Sequence, residues 1–143
     1  MKAVLCKEYG PPEKLVYEDT TRPDVGPTDV RIRVRAAGVN FPDLLIIENK
    51  YQFKPPLPFA PGGEVAGDVI EVGAEVTDFS RGDRVIGMCG WNGFAEEVVI
   101  SRDRVVTRAS GSRSRCRRSG SARSSRPGVF LARISNPVSG QRF

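Results

Sequence analysis

The sequence predicts a mainly β fold, a sandwich or barrel of short strands with one short helix, followed by a disordered tail. Three observations predict it. Apolar and polar residues alternate over short runs in the first 106 residues, Gly, Pro, Asn and Asp punctuate those runs, and the composition changes abruptly after Val106.

The clearest strand has Val30, Ile32, Val34 and Ala36 alternating with Arg31, Arg33 and Arg35, the period-two pattern of a half-buried strand. The three arginines read either as an anion-binding stripe or as a solvated face. The solvated face is expected, because antiparallel sheets commonly keep one side wet. Residues 65–72, 83–88 and 94–100 are further strand candidates. Gly73, Gly82-Asp83 and Asn92-Gly93 separate them and are expected to supply the positive φ of tight turns. The helix is expected at Pro42 and the following Asp43-Leu44-Leu45-Ile46-Ile47-Glu48. A proline is tolerated in a first turn and an acid suits the positive N-terminus. Pro55, Pro56, Pro58 and Pro61 then hold an extended loop, since each fixes φ and removes a donor.

At 143 residues the chain suits one domain with a sizeable core. Its 22 basic and 17 acidic residues hide two unlike segments. The first 106 residues carry 13 Lys or Arg and all 17 acids, a net charge of −4, while the last 37 carry 9 Arg and no acid. The overall +5 therefore belongs to the tail. Cys6, Cys89 and Cys116 are an odd, scattered set, which argues for a reducing compartment and against a disulfide framework. The N-terminus has only three apolar residues before charge returns, so it is not a signal peptide. No apolar run approaches the ~18 residues of a membrane span. A cytoplasmic protein without a membrane partner is expected.

The most specific stretch runs Gly62-Gly63-Glu64-Val65-Ala66-Gly67-Asp68-Val69-Ile70-Glu71-Val72-Gly73 and continues through Val76, Phe79 and Gly82-Asp83-Arg84-Val85. Gly67 and Gly73 allow close backbone approach, and Val65, Val69, Val72 and Val76 supply core surface. No G-x-G-x-x-G stands at dinucleotide-binding spacing. The stretch resembles the G-x-E-x-x-G-x-V-x-x-V-G-x-x-V-x-x-F-x-x-G-D-x-V run of the medium-chain dehydrogenases and reductases. With Ala36-Ala37-Gly38-Val39-Asn40-Phe41-Pro42-Asp43 and the opening Met1-Lys2-Ala3-Val4, the resemblance covers about 105 residues in order. It implies a GroES-like, partly open β-barrel over residues 1–106, the substrate-side half of an enzyme whose Rossmann domain is absent here.

In the zinc enzymes of that superfamily a Cys stands at the position of Asn40, a His at Gly63 and a proton-relaying hydroxyl at Pro42. All three are replaced, the chain has no histidine, and only Glu64 remains of the ligand set. Catalytic zinc needs three protein ligands, so no metal is expected. The pattern resembles the NADPH:quinone oxidoreductase branch and implies NADPH as cofactor, with a quinone or an α,β-unsaturated carbonyl as the small-molecule partner. The resemblance places Asn40, with Phe41, at the substrate and cofactor pocket. Tyr51 offers a hydroxyl or stacking face, and Trp91 an aromatic wall for a flat substrate. The alternatives are that Asn40 only caps the helix and that Tyr51 and Trp91 are half-buried packing residues. Asp43 reads as structural. No residue is assigned as catalytic, and oligomeric state stays open, a homo-oligomer included.

Residues 107–143 contain 9 Ser, 9 Arg and 4 Gly, without Lys, Asp or Glu. Up to about Pro127 they lack the apolar surface to offset chain entropy and are expected to be disordered. Residues 129–134 have the composition of a strand but no evident partner. A G+C-rich gene read out of frame gives such a text, so a frameshift near codon 107 is the expected origin. The alternative is a purposeful Arg-Ser tail that binds RNA through salt-dependent phosphate contacts. A third reading is a β-barrel interaction module without catalysis.

Overall fold

The computed structural model describes residues 1–107 and 130–132. In chain order the elements are β1 (Lys2–Leu5), a 3₁₀ turn (Pro12–Lys14), β2 (Val16–Asp19), β3 (Asp29–Val39), α1 (Phe41–Ile47), β4 (Glu64–Val72), β5 (Arg84–Met88), β6 (Glu97–Ser101), a 3₁₀ turn (Arg102–Arg104), β7 (Val105–Thr107) and β8 (Phe130–Ala132). The described fold is mainly β with one α-helix, as expected. A six-stranded antiparallel sheet has the order β6-β3-β4-β5-β7, with β8 also paired to β3, and β1 and β2 form a separate ribbon. The sheets do not close into a full barrel. β1 reaches the larger sheet through the Ala3–Ala95 bridge and a Val4 N–H to Phe94 oxygen bond of 2.8 Å.

β3 organises the sheet. Val30, Ile32 and Val34 point inward, and with Val65, Val69, Val76, Phe79, Val85, Val98, Ile100 and Val105 they form the main core. The alternation read from the sequence is thus a core-facing stripe. The strand is longer than that alternation, because register shifts between Arg31 and Ile32 and between Val34 and Ala36 break the period while pairing continues to Gly38 opposite Glu64. Such bulges insert an unpaired residue and bend the strand. Two of the three arginines are already paired on this face: Arg31 binds Glu71 at 2.7 Å and the Pro23 oxygen at 2.7 Å, and Arg35 binds Asp68 at 2.7 Å, while Arg33 is exposed.

Several expectations need correction. Gly82 has φ +99° and Asn92 has φ +70°, as turns require, but Gly73 has no positive φ. Its place is set by crowding instead, since a side chain there would press on the Gly26 and Pro27 carbonyl oxygens. Residues 94–96 leave the predicted strand to pair with β1, so β6 begins at Glu97. β2 was not foreseen, because Val16 and Tyr17 are 39% and 59% exposed and show no buried alternation. Residues 130–132 do have a partner, lying antiparallel to β3 with Phe130 opposite Val39 and Ala132 opposite Ala37. The expected disorder of residues 108–127 lies outside the described residues.

Candidate active site

The site is built where β3 runs into α1. Asn40 is the N-cap, with an extended backbone at φ −123°, and Phe41 and Pro42 open the helix. Asn40 and Asp43 have the N-cap to N3 spacing of a capping box. The Asn40 N–H donates to the Asp43 carboxylate at 2.8 Å, and the Asp43 N–H donates to the Asn40 backbone oxygen at 3.0 Å. The second Asp43 oxygen accepts the Gly62 N–H at 3.1 Å. Asp43 is buried, so this one carboxylate fastens the head of α1 to the loop before β4. Burial pushes its carboxyl above the ordinary range, the Asn40 and Gly62 N–H groups pull it back, and the Glu64 charge adds to the rise. Asp43 has the structural role read from the sequence.

Gly38 makes room for the functional groups. A Cβ placed on it would lie 3.3 Å from the Asn40 amide nitrogen and 3.3 Å from a Glu64 carboxylate oxygen. The amide and the carboxylate thus converge over a bare stretch of β3. The Asn40 side chain also faces the Asp43 N–H in the capping box. A cap bond engages the amide oxygen as acceptor, so it is the amide NH2, which donates to no partner among the described residues, that is left to bind elsewhere. Sequence reasoning missed this pair as a unit. The signal is the register that sets Gly38 opposite Glu64, which a single strand read alone does not contain.

The aromatic candidates divide into two groups. Phe41 sits at the first helical position and is 71% exposed. Tyr51 and Trp91 both pack on the cluster of Cys6, Ile46, Ile47 and Phe59. Each is half-buried on that cluster, a packing position that the alternative to a substrate wall also describes. Their described contacts do not join them to Asn40.

Cys89 borders the same loop, donating its thiol to the Gly62 oxygen at 3.2 Å. Burial pushes that thiol up to about 12, and the charges of Asp43 and Glu64 add to the rise. It stays protonated at neutral pH and is a poor nucleophile. The donor set also does not fit a catalytic zinc. Glu64 and Asp43 are the nearby carboxylates, and both Asp43 oxygens already accept backbone N–H groups. Pro42 and Gly63 offer no ligand atom on a side chain.

Residues 26–125 match the alcohol dehydrogenase GroES-like domain. A quinone oxidoreductase-like protein 2 homolog of Nematostella vectensis is 50% identical over 101 residues, covering 69% of this chain and 27% of that protein. A quinone oxidoreductase of Pseudomonas syringae pv. Tomato DC3000 superposes with a TM-score of 0.73 at 35% identity, covering 78% of this chain and 34% of that one. The Escherichia coli quinone oxidoreductase solved in complex with NADPH superposes with a TM-score of 0.70 at 28% identity, over 75% of this chain and 33% of that one. The match spans about a third or less of the length of each of these relatives.

Proposed function

The chain belongs to the alcohol dehydrogenase GroES-like family, in the quinone oxidoreductase-like branch of the medium-chain reductases, and on that premise we propose that it is the substrate-side half of a zinc-independent reductase. Its substrate is a quinone or an α,β-unsaturated carbonyl, and the half that binds most of the cofactor lies outside this sequence. NADPH supplies the hydride when bound.

The observation that carries this reading is the Asn40 amide NH2, held at a fixed helix terminus beside Glu64 and Gly38. An N–H donor placed in advance where an oxygen gains negative charge stabilises that charge without reorganising. Asn40 holds the carbonyl oxygen of the substrate. The quinone or enone delocalises the developing charge itself, so a metal is not needed. Phe41 offers an exposed ring face to a flat substrate. Asp43 positions Asn40 through its backbone N–H and does not touch the reacting atoms. In this reading residues 1–106 are the unit that the family resemblance covers and residues 107–143 have the composition of an out-of-frame tail, although residues 130–132 of it pair with β3.

A chain with its reading frame restored near codon 107 tests the metal-free part of the proposal. Steady-state NADPH oxidation with 1,4-benzoquinone is expected to be unchanged after dialysis against 1,10-phenanthroline. Loss of the rate on chelation, with recovery on adding zinc, overturns it.

A further inference from the structure

A cavity of about 240 Å³ is lined by β1, the segment that follows β2, the loop at residues 58–60 and the start of β6. Its walls include Ala3, Leu5, Phe59, Ala60, Ala95 and Val98, and its polar lining includes Thr20, Asn92 and Glu97. Glu97 opens β6 opposite Arg33 and is only 6% exposed. One of its oxygens, Oε2, is fully buried and has no hydrogen-bond partner among the described residues. Arg22 comes within 3.4 Å of that oxygen, but its side chain is 64% exposed and reaches in from the surface. Arg22 is thus the one charge paired with this oxygen among the described residues, without hydrogen-bond geometry, and buried carboxylate oxygens are ordinarily given donors of good geometry.

We propose that this cavity is a binding site for a small organic cation, a guanidinium or primary ammonium group on a short apolar stem. The charged N–H donors satisfy Glu97, and a planar guanidinium matches a carboxylate with two parallel bonds. The apolar walls take the stem. At about 30 Å³ per water, the volume holds roughly eight waters, which fits a head group on a chain of a few carbons. Arg22 is then a competitor that the ligand displaces. Asn40 does not line this cavity, and the proposal does not depend on the function proposed for Asn40.

Trp91, the sole tryptophan, is next in sequence to Asn92 of the cavity wall and packs on the cluster of Phe59, which also lines it, so its emission is one of two probes of occupancy. n-Butylguanidinium chloride is titrated into the 143-residue chain at pH 7, following Trp91 emission and the amide NMR shifts of residues 95–99. A saturable change is expected with n-butylguanidinium and none with the neutral isostere n-butylurea. Glu97→Gln is expected to weaken binding at least tenfold, and Arg22→Ala to tighten it several-fold by removing the competitor. Absence of saturable binding to both the native chain and Arg22→Ala overturns the site. Equal binding of n-butylurea, or weaker binding to Arg22→Ala, overturns the cation chemistry even where Glu97→Gln fails to fold.

Discussion

Gly67→Ala is expected to lower the stability of the folded unit by about 3 kcal/mol or more, at the upper end of what overpacking does. Gly67 lies in β4 opposite Val34 of β3, between the two register shifts. A Cβ there would drive into the Arg33 carbonyl oxygen, with the Ile32 side chain 2.7 Å away and the Arg33 carbonyl carbon 2.9 Å away. The obstacle is backbone of the neighbouring strand. It cannot yield without opening the pair around which the core is assembled. For a unit of this size such a loss is worth roughly 12–24 °C in melting temperature. Gly82→Ala is the control: it meets nothing within 4 Å, and only its φ of +99° resists the change, so about 1 kcal/mol is expected. Urea denaturation followed by circular dichroism checks both. Equal effects at the two positions contradict the crowding argument.

The second large effect concerns activity. In a chain with the reading frame restored, Asn40→Ala is expected to lower kcat/KM for quinone reduction by about 10²–10³-fold, the usual consequence of losing one donor to a developing oxyanion. Asn40→Asp is expected to be worse, because a second carboxylate beside Glu64 repels the same charge. Asn40→Asp keeps an acceptor for the capping box and should leave the melting temperature little changed, while Asn40→Ala also loses that acceptor, at about 1 kcal/mol. The loss of turnover in both is what a cap alone does not explain. This separates the two roles read for Asn40. A residue that only caps α1 loses about 1 kcal/mol of stability on change to Ala and keeps its turnover.

Much of the framework was legible because it is written in local pattern. The inward stripe of β3 follows from Val30, Ile32 and Val34, and the tight approach at Gly67 follows from a glycine inside a valine-rich strand. The helix was placed within one residue, since Asn40, Pro42 and Asp43 are ordinary helix-start residues. What was hidden is non-local. β2 shows little burial and leaves no period. The bulges in β3 change register in a way that only the partner strand reveals, and so the meeting of Asn40 with Glu64 over Gly38 was not visible. Asn40 itself was singled out through family resemblance, because a single asparagine before a helix carries no other mark. Tyr51 and Trp91 were chosen for chemistry that their packing on Ile46, Ile47 and Phe59 equally explains.

The central proposal is that residues 1–106 belong to the substrate-side half of an NADPH-dependent reductase and that the text after codon 107 is read out of frame. Serine marks the break, with 2 in the first 106 residues and 9 in the last 37. The direct measurement shifts the coding sequence by one or two nucleotides near codon 107, expresses the product, and compares its NADPH oxidation with 1,4-benzoquinone to that of the 143-residue chain. The restored chain is predicted to encode a strand, glycine-rich turn and helix and to turn over, while the 143-residue chain stays at the blank rate because nothing positions the cofactor against the substrate. Robust turnover by the 143-residue chain alone, or stop codons and no such unit in both other frames, would contradict the account.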